Sequence, residues 1–384
     1  MMHHPGRHHY HLIRLSELKR LYWAHTVSML ASSMTGIFIP IYLYRFGYSV
    51  PEIMAYYLWF SVFWGAMQYA VLRFANLIGF NRSMGASMII HGLQILMLAT
   101  ISVYHWPLWL IALTWALYVA MYWPSFRACF ARSLLHKQAG PAVGIATALI
   151  LCAYGIAPAI GGVIASQLGI TVLYMMAMLC FLFAAIPLFG GSEMIRHEPF
   201  KLRALQLRRV WRDLVANMGD NIDDSVSTII WPLFIFLLVP SYMGVGVLSS
   251  IAVIASIIIA IYIGRNQARK GTAGYLKRGT LTISLANAVR ILVQSSGQIA
   301  GINFINGIGH ALMSTPYDSR YYRNADREPL LPYVYGMMMA GAAGCFVLFG
   351  TLLAVSLVAP ITTVLIVGLI MAIPASYIIR LMRV

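Results

Sequence analysis

Apolar runs of about 20 residues, each long enough to cross roughly 30 Å of hydrocarbon, recur from Leu21 to the last residues of the chain. Twelve can be counted, at about 21–45, 52–72, 83–104, 107–128, 142–166, 169–190, 214–239, 243–264, 279–296, 298–318, 332–356 and 360–380. No other feature constrains the fold as strongly. In lipid every backbone polar group needs a partner within the protein, so such runs form helices, and the alternating pattern of barrel strands is absent. The expected fold class is all-α, a polytopic membrane protein with twelve transmembrane helices. Composition agrees: 60% of the residues are hydrophobic and 10% charged, which no ordinary soluble domain matches.

A net charge of +16 raises the question of a nucleic-acid partner, and its distribution answers it. If the spans alternate, every Lys and Arg except Arg45 and Arg290 falls on one side of the membrane, in the first 20 residues, the even-to-odd loops and the last residues. By the positive-inside rule both termini are cytoplasmic, and the charge orients the protein in a plasma membrane, here read as a bacterial inner membrane, with no nucleic acid required. Residues 1–20 form a cytoplasmic tail; its five histidines suggest a disordered segment or an expression-tag remnant more than a metal site. Cys129, Cys152, Cys180 and Cys345 lie in or beside spans, where thiols behave as small hydrophobes. No nucleophile with a paired base, phosphate loop, dinucleotide fingerprint or metal-ligand spacing appears, so neither an enzyme nor a cofactor is expected.

Shifting the chain by half its 384 residues brings four anchors into coincidence: Pro40 onto Pro232, Gly79 onto Gly271, Pro124 onto Pro316 and Gly144 onto Gly336. Each pair holds an equivalent place in a six-span half, which points to a parallel duplication. The expected organisation is a bundle at 21–190, a basic cytoplasmic linker at 191–212 and a second bundle at 213–384. Six basic residues among Leu, Phe and Trp between Ile195 and Leu214 suggest an amphipathic helix lying on the inner membrane face.

With these features the sequence resembles the major facilitator superfamily over nearly its whole length. The family's Gly-x-Leu-Ala-Asp-Arg-x-Gly-Arg loop appears as "LRFANLIG", Leu72 to Gly79, with Asn76 in the place of the acid, and again as "GRNQARKG", Gly264 to Gly271, with Ala268 there. Both copies lack the carboxylate, while Gly79 and Gly271 still permit tight turns. "APAIGG", Ala157 to Gly162, retains Pro158, Gly161 and Gly162 of an element found in antiporters, and small residues of this kind also serve plain close packing. The resemblance implies a central cavity lined by spans 1, 4, 7 and 10.

Polar residues follow that assignment. Span 7 carries Asn217, Asp220, Asp224, Thr228 and Trp231 at helical spacing, with Asp223 beside them. Span 1 offers His25, Ser28 and Ser32; span 4 offers Thr114, Tyr118, Tyr122 and Arg127; span 10 offers Asn303, Asn306, His310, Ser314 and Asp318. A chain with 11 acidic residues places Asp223 and Asp224 inside the hydrocarbon boundary, where an ionised carboxylate is costly unless it is paired, hydrated or at work. Capping of the span's N-terminal end is the competing role. Arg290, in mid-span 9 on one face with Asn287, awaits an acidic partner or reaches toward the outer surface; Arg45 and Glu52 read as an exposed ion pair, and His91 as a buried hydrogen-bonded residue.

These readings converge on a secondary active transporter, a monomer among membrane lipids, that moves a small molecule by alternating access and is coupled to protons or cations through Asp223 or Asp224. Acids beside Trp123, Tyr118 and Trp231 favour efflux of a cationic or amphipathic compound. Import is the nearest alternative; a receptor, assembly module or lipid-handling protein is the alternative of another class.

Overall fold

A computed structural model of the chain describes residues 6–134, 155–193, 195, 198–270 and 273–384. Within them the helical segments group into twelve spans, and there is no strand. Span 1 runs Gly6–Thr35 and continues, past a 3-10 turn at Gly36–Phe38, as Ile39–Phe46. Spans 2, 3 and 4 are Val50–Ile78, Phe80–Ala99 and Leu108–Leu134. Span 5 is described over Gly155–Gln167, and span 6 is Ile170–Phe189. Span 7 comprises Leu207–Ser225, a π turn at Val226–Ile230 and Trp231–Leu238. Spans 8 to 12 are Tyr242–Lys270, Ala273–Arg290, Ser296–Arg327, Leu330–Ser356 and Ile361–Ile378. Seven of the described helices are long and apolar enough to cross a membrane by length and composition.

The packing repeats between the halves. Spans 3 and 6, 2 and 4, 3 and 4, and 1 and 6 pack in the first half; 9 and 12, 8 and 10, 9 and 10, and 7 and 12 pack in the second. Across the halves, span 2 packs on span 11. Its counterpart is the meeting of span 5 with span 8, where a methyl group on Gly162 would sit 2.6 Å from the Tyr242 carbonyl and one on Gly246 would overlap the Pro158 carbonyl. Lipid tails are as apolar as the side chains, so such contacts hold by close approach of small residues more than by burial from water. The "APAIGG" element is therefore an interface: Gly161 faces the Met34 backbone and Gly162 faces span 8.

The duplicated prolines act alike. Pro40 and Pro232 each open a helix that resumes after an irregular turn, a 3-10 turn in span 1 and a π turn in span 7, because proline lacks an N–H and crowds the preceding turn. Pro124 and Pro316 each lie inside their helix, in spans 4 and 10. Gly271 and Gly144 lie outside the described residues.

Three expectations are corrected. From Gly6 onward the first 20 residues are helical and run on into span 1, in place of the disordered segment expected. The stretch from Ile195 to Leu214 is not one surface helix: its described residues before Leu207 hold only a 3-10 turn at Leu202–Ala204, and helical hydrogen bonding takes over at Leu207, where span 7 begins. Arg45 lies over the Tyr242 ring at 5.1 Å, whereas Glu52 accepts hydrogen bonds from the Ser49 amide (2.8 Å) and hydroxyl (2.6 Å); a capping box has claimed the carboxylate.

The linker supplies what the span 2 to span 3 loop lacks. Buried Glu193 accepts from the amides of Asn81 (2.9 Å) and Arg82 (3.2 Å), placing a carboxylate on the unsatisfied first turn of span 3. Asn76, in the slot of the absent acid, bonds both ways with the Glu198 backbone, donating at 2.8 Å and accepting at 3.0 Å. Glu198 pairs with Arg132 at the end of span 4 (2.6 Å). Phe200 then sits against Tyr69 of span 2 and Tyr335 of span 11, with ring centroids at 5.4 and 5.9 Å, so the strap crosses from one half to the other.

Gly79 joins this strap with φ +101°, and a Cβ there would meet the Glu193 carboxyl group. Gly79→Ala is expected to lower stability by about 2 kcal/mol or more, from backbone strain together with displacement of the cap. Gly47→Ala, with φ +104° but open space, carries strain alone and is expected to cost less. Thermal unfolding of both variants in detergent decides the point; equal losses would mean that Glu193 contributes nothing.

Candidate functional site

A cavity of ≈ 450 Å³ lies between the two halves. Span 7 contributes Asn217, Asp220, Asn221, Asp224, Ser225 and Thr228 to its wall; span 1 contributes Met29, Ser32 and Thr35; span 4 contributes Trp115, Tyr118, Trp123 and Arg127; span 10 contributes His310, Met313 and Ser314. The four expected spans therefore meet there. Spans 2 and 11 line it as well, through Tyr57, Phe60 and Trp64 on one and Met338, Cys345 and Phe349 on the other, and span 3 adds His91. Aromatic residues at helical spacing on span 2 were the signal for this wall, and an assignment based on polarity passed over them.

The three acids of span 7 divide by direction. Asp224 is exposed and Asp220 half-buried, both facing the cavity, one turn apart. Asp223 is 1% exposed and turns into the second half. Its Oδ1 accepts from Asn287 Nδ2 of span 9 at 2.7 Å, and its Oδ2 stands 3.5 Å from His310 Nε2. Asn287 Oδ1 in turn accepts from Arg290 at 2.8 Å, and Arg290 also reaches the Ser227 hydroxyl at 3.2 Å. The amide of Asn287 thus stands between a buried carboxylate and a buried guanidinium, giving Arg290 the acidic neighbour its position in the span calls for. The guanidinium lies 4.7 Å over Trp231, whose indole N–H donates to Asn303 at 2.7 Å.

Trp231 does not line the cavity. The π turn at Val226–Ile230, in which the Trp231 amide bonds to the Val226 carbonyl, adds a residue to one turn and rotates everything after it by about 100°. A stripe drawn at a constant 3.6 residues per turn therefore holds for Asn217, Asp220, Asp224 and Thr228 and fails at Trp231. His25 is also off the cavity: its Nδ1 and the Tyr122 hydroxyl are 2.6 Å apart and its ring stacks on Phe126 at 4.2 Å. Asn306 is buried at 2% exposure outside the cavity lining. His91, expected to be a buried hydrogen-bonded residue, is buried beside Gln94 and also stacks on Tyr118 at 3.9 Å within the lining, because span 3 comes close enough behind spans 2 and 4 to reach it.

Contacts between the halves bracket the cavity. At the end bearing the C-terminal residues, Arg127 of span 4 lies 4.0 Å from Asp318 of span 10 and 4.4 Å over the Tyr321 ring, and Phe130 meets Tyr322 at 4.7 Å. At the opposite end Phe38 packs edge-on against Tyr242 at 5.7 Å. On the flank Tyr57 stacks on Phe349 at 5.0 Å. Asn217 ties span 7 to its own half, donating to the Met337 carbonyl at 2.7 Å and accepting from Tyr317 at 2.8 Å. Among the described residues no group of three metal-ligating side chains occurs.

No protein-family model and no curated protein matches the sequence. Solved structures match the fold. A mutant of the nucleoside transporter NupG aligns with a TM-score of 0.71 at 11% identity, covering 96% of this chain and 100% of that one. A bacterial homologue of the human drug peptide transporters PepT1 and PepT2 aligns at 0.67 with 9% identity, covering 96% of each chain. A POT family transporter in complex with 5-aminolevulinic acid aligns at 0.61 with 14% identity, covering 94% of this chain and 95% of the other. The likeness is one of fold: the chain is an integral, multi-pass membrane protein with the twelve-helix arrangement of the major facilitator transporters.

Proposed function

We propose that the chain is a secondary active transporter that carries a small solute outward across a plasma membrane, coupled to the movement of a proton or another cation. One observation carries the reading: acids of a membrane span face a cavity at the seam between two similar halves, and a buried charge network stands directly behind them. The halves 21–190 and 213–384 are the moving bodies, joined by the strap at 191–212. Rocking breaks the contacts at one end while those at the other persist, so the solute meets one side at a time. The end rich in Lys and Arg is the cytoplasmic one.

Coupling is assigned to Asp223. His310 faces both the cavity and the Asp223 carboxylate, so a proton entering the cavity reaches the buried acid through the imidazole. A cation at Asp223 changes the balance with Arg290 and thereby the preference for one orientation. The tight seam of spans 5 and 8 around "APAIGG", together with an acidic and aromatic lining, supports export; accumulation in the opposite direction is the result that would reverse this. The protein acts as a monomer in this reading.

The test is flux in proteoliposomes. Asp223→Asn is expected to abolish gradient-driven accumulation while leaving passive exchange. Asp223→Asn and Asp224→Asn, singly and together, leaving coupled accumulation intact would remove both acids from the mechanism.

A further inference from the structure

We infer that the solute is a monovalent organic cation with a flat apolar body and one hydrogen-bonding group on that body. This rests on the transporter reading above. Its cationic head lies between Asp220 and Asp224, its body lies in the aromatic box of Tyr57, Phe60, Trp115 and Phe349, and its polar substituent meets His91.

The charge comes from the wall. Neither the Asp220 nor the Asp224 carboxylate has a hydrogen bond or ion pair among the described residues, although both line the cavity. Arg127, the cation on the same wall, is held between Asp318 and the face of Tyr321. Arg127 also acts on Asp220, but it is shared with Asp318, and among the described residues no basic side chain pairs with Asp224; the wall therefore keeps an excess of negative charge, which in a membrane interior calls for one cation. Asp220 and Asp224 stand one helical turn apart, about 6 Å along the axis, so a single ammonium between them reaches both at charge-assisted hydrogen-bond distance.

The flat body comes from the opposite wall. Phe60 stacks on Trp115 at 3.8 Å, Tyr57 meets Trp115 edge-on at 5.9 Å, and Tyr57 stacks on Phe349 across the seam at 5.0 Å. Rings from both halves thus form one box, and a planar apolar group offers them stacking and edge contacts. Thr228 and Ile229 continue the span 7 wall one turn beyond Asp224, so that wall passes from acidic to uncharged along one line. An amphipathic solute matches that change; a dication or a uniformly polar solute does not.

The polar substituent comes from His91, which is independent of the acids. It is 5% exposed, lines the cavity and has the Gln94 side chain beside it, while its Nδ1 is not held in hydrogen-bond geometry. A buried ring nitrogen outside hydrogen-bond geometry forgoes an interaction that a hydroxyl or ring N–H on the solute supplies.

A matched set of probes tests this: 5-hydroxytryptamine, its neutral alcohol analogue 5-hydroxytryptophol, zwitterionic 5-hydroxytryptophan, and 1,4-diaminobutane, titrated calorimetrically into the full chain in nanodiscs. The amine is expected to bind at least about tenfold more tightly than the alcohol, the zwitterion or the diamine, as one charge-assisted contact implies. Asp224→Asn should cost the amine about tenfold or more and leave the alcohol unchanged, Asp224→Glu should restore most of that loss, and Trp115→Ala should weaken amine and alcohol alike. Equal affinity for amine and alcohol, failure of the amine to bind a folded protein, or an amine affinity untouched in the Asp220→Asn, Asp224→Asn double variant each overturns the inference. Gradient-driven flux of a neutral nucleoside or a dipeptide would overturn it and leave the transporter standing, whereas absence of gradient-driven flux for any solute would bring down both.

Discussion

Arg290→Leu is expected to lower the stability of the purified protein by about 3–5 kcal/mol, the usual result of removing one partner from a buried charged group. The guanidinium is 1% exposed, so its charge is separated from water, and it is held by Asn287, Ser227 and the face of Trp231. Without it, Asp223 stays buried with Asn287 and His310 but lacks a positive charge of fixed sign behind the amide. Making the remaining acid neutral should undo much of the damage: Asp223→Asn together with Arg290→Leu is expected to be more stable than Arg290→Leu alone. The two losses are therefore strongly non-additive, as for any pair in one network. Chemical or thermal unfolding of the four proteins in one detergent measures this directly. A loss below about 1 kcal/mol for Arg290→Leu, or additivity of the two changes, would show that the residues are not energetically joined. The proposed coupling role would then lose its physical basis, since a proton on Asp223 could not be felt through Arg290.

Gly246→Leu is expected to abolish transport and to destabilise the protein by about 3 kcal/mol or more, because overpacking here displaces backbone. At Gly246 even a single added carbon would overlap the Pro158 carbonyl of span 5, and Gly162 opposite has the Tyr242 carbonyl and the Met243 and Gly246 backbone within contact. The Ala159 amide also donates to the Ser250 hydroxyl across this seam at 3.0 Å, so separating the spans breaks a hydrogen bond with no water to replace it. Gly350→Leu is the control: its nearest foreign atom is Leu58 Cδ1 at 3.9 Å, ordinary contact distance. Flux and unfolding temperature are measured on both. Normal transport by Gly246→Leu would mean that spans 5 and 8 need not approach this closely in any step of the cycle.

Much of the site was legible in the sequence, and the misses have identifiable causes. The face Asn217, Asp220, Asp224 and Thr228 follows from helical spacing alone, and those residues do share one wall of the cavity. Arg127, Tyr118, Ser32 and His310 were found the same way. Trp231 was lost to the π turn, whose phase change depends on how Pro232 is accommodated by the helices around it. His25 lies at the right depth of span 1 but turns to Tyr122 and Phe126 within its own half. The missing acid of the span 2 to span 3 loop was sought in the loop itself, whereas Glu193 arrives from more than a hundred residues away.

By itself the sequence determined that the chain lies in a membrane, that it is helical and that it is doubled. Those conclusions need only run length, the backbone's demand for hydrogen bonds in lipid, and the coincidence of prolines at half the chain. Which of two adjacent acids meets the solute and which meets the charge network was decided by tertiary structure alone. Asp223 and Asp224 are chemically identical and neighbours in sequence, about 100° apart around the helix. One direction leads into the cavity and the other to Asn287, His310 and Arg290 on spans 9 and 10. What a side chain faces is fixed by residues distant in the chain, through packing that local periodicity does not encode.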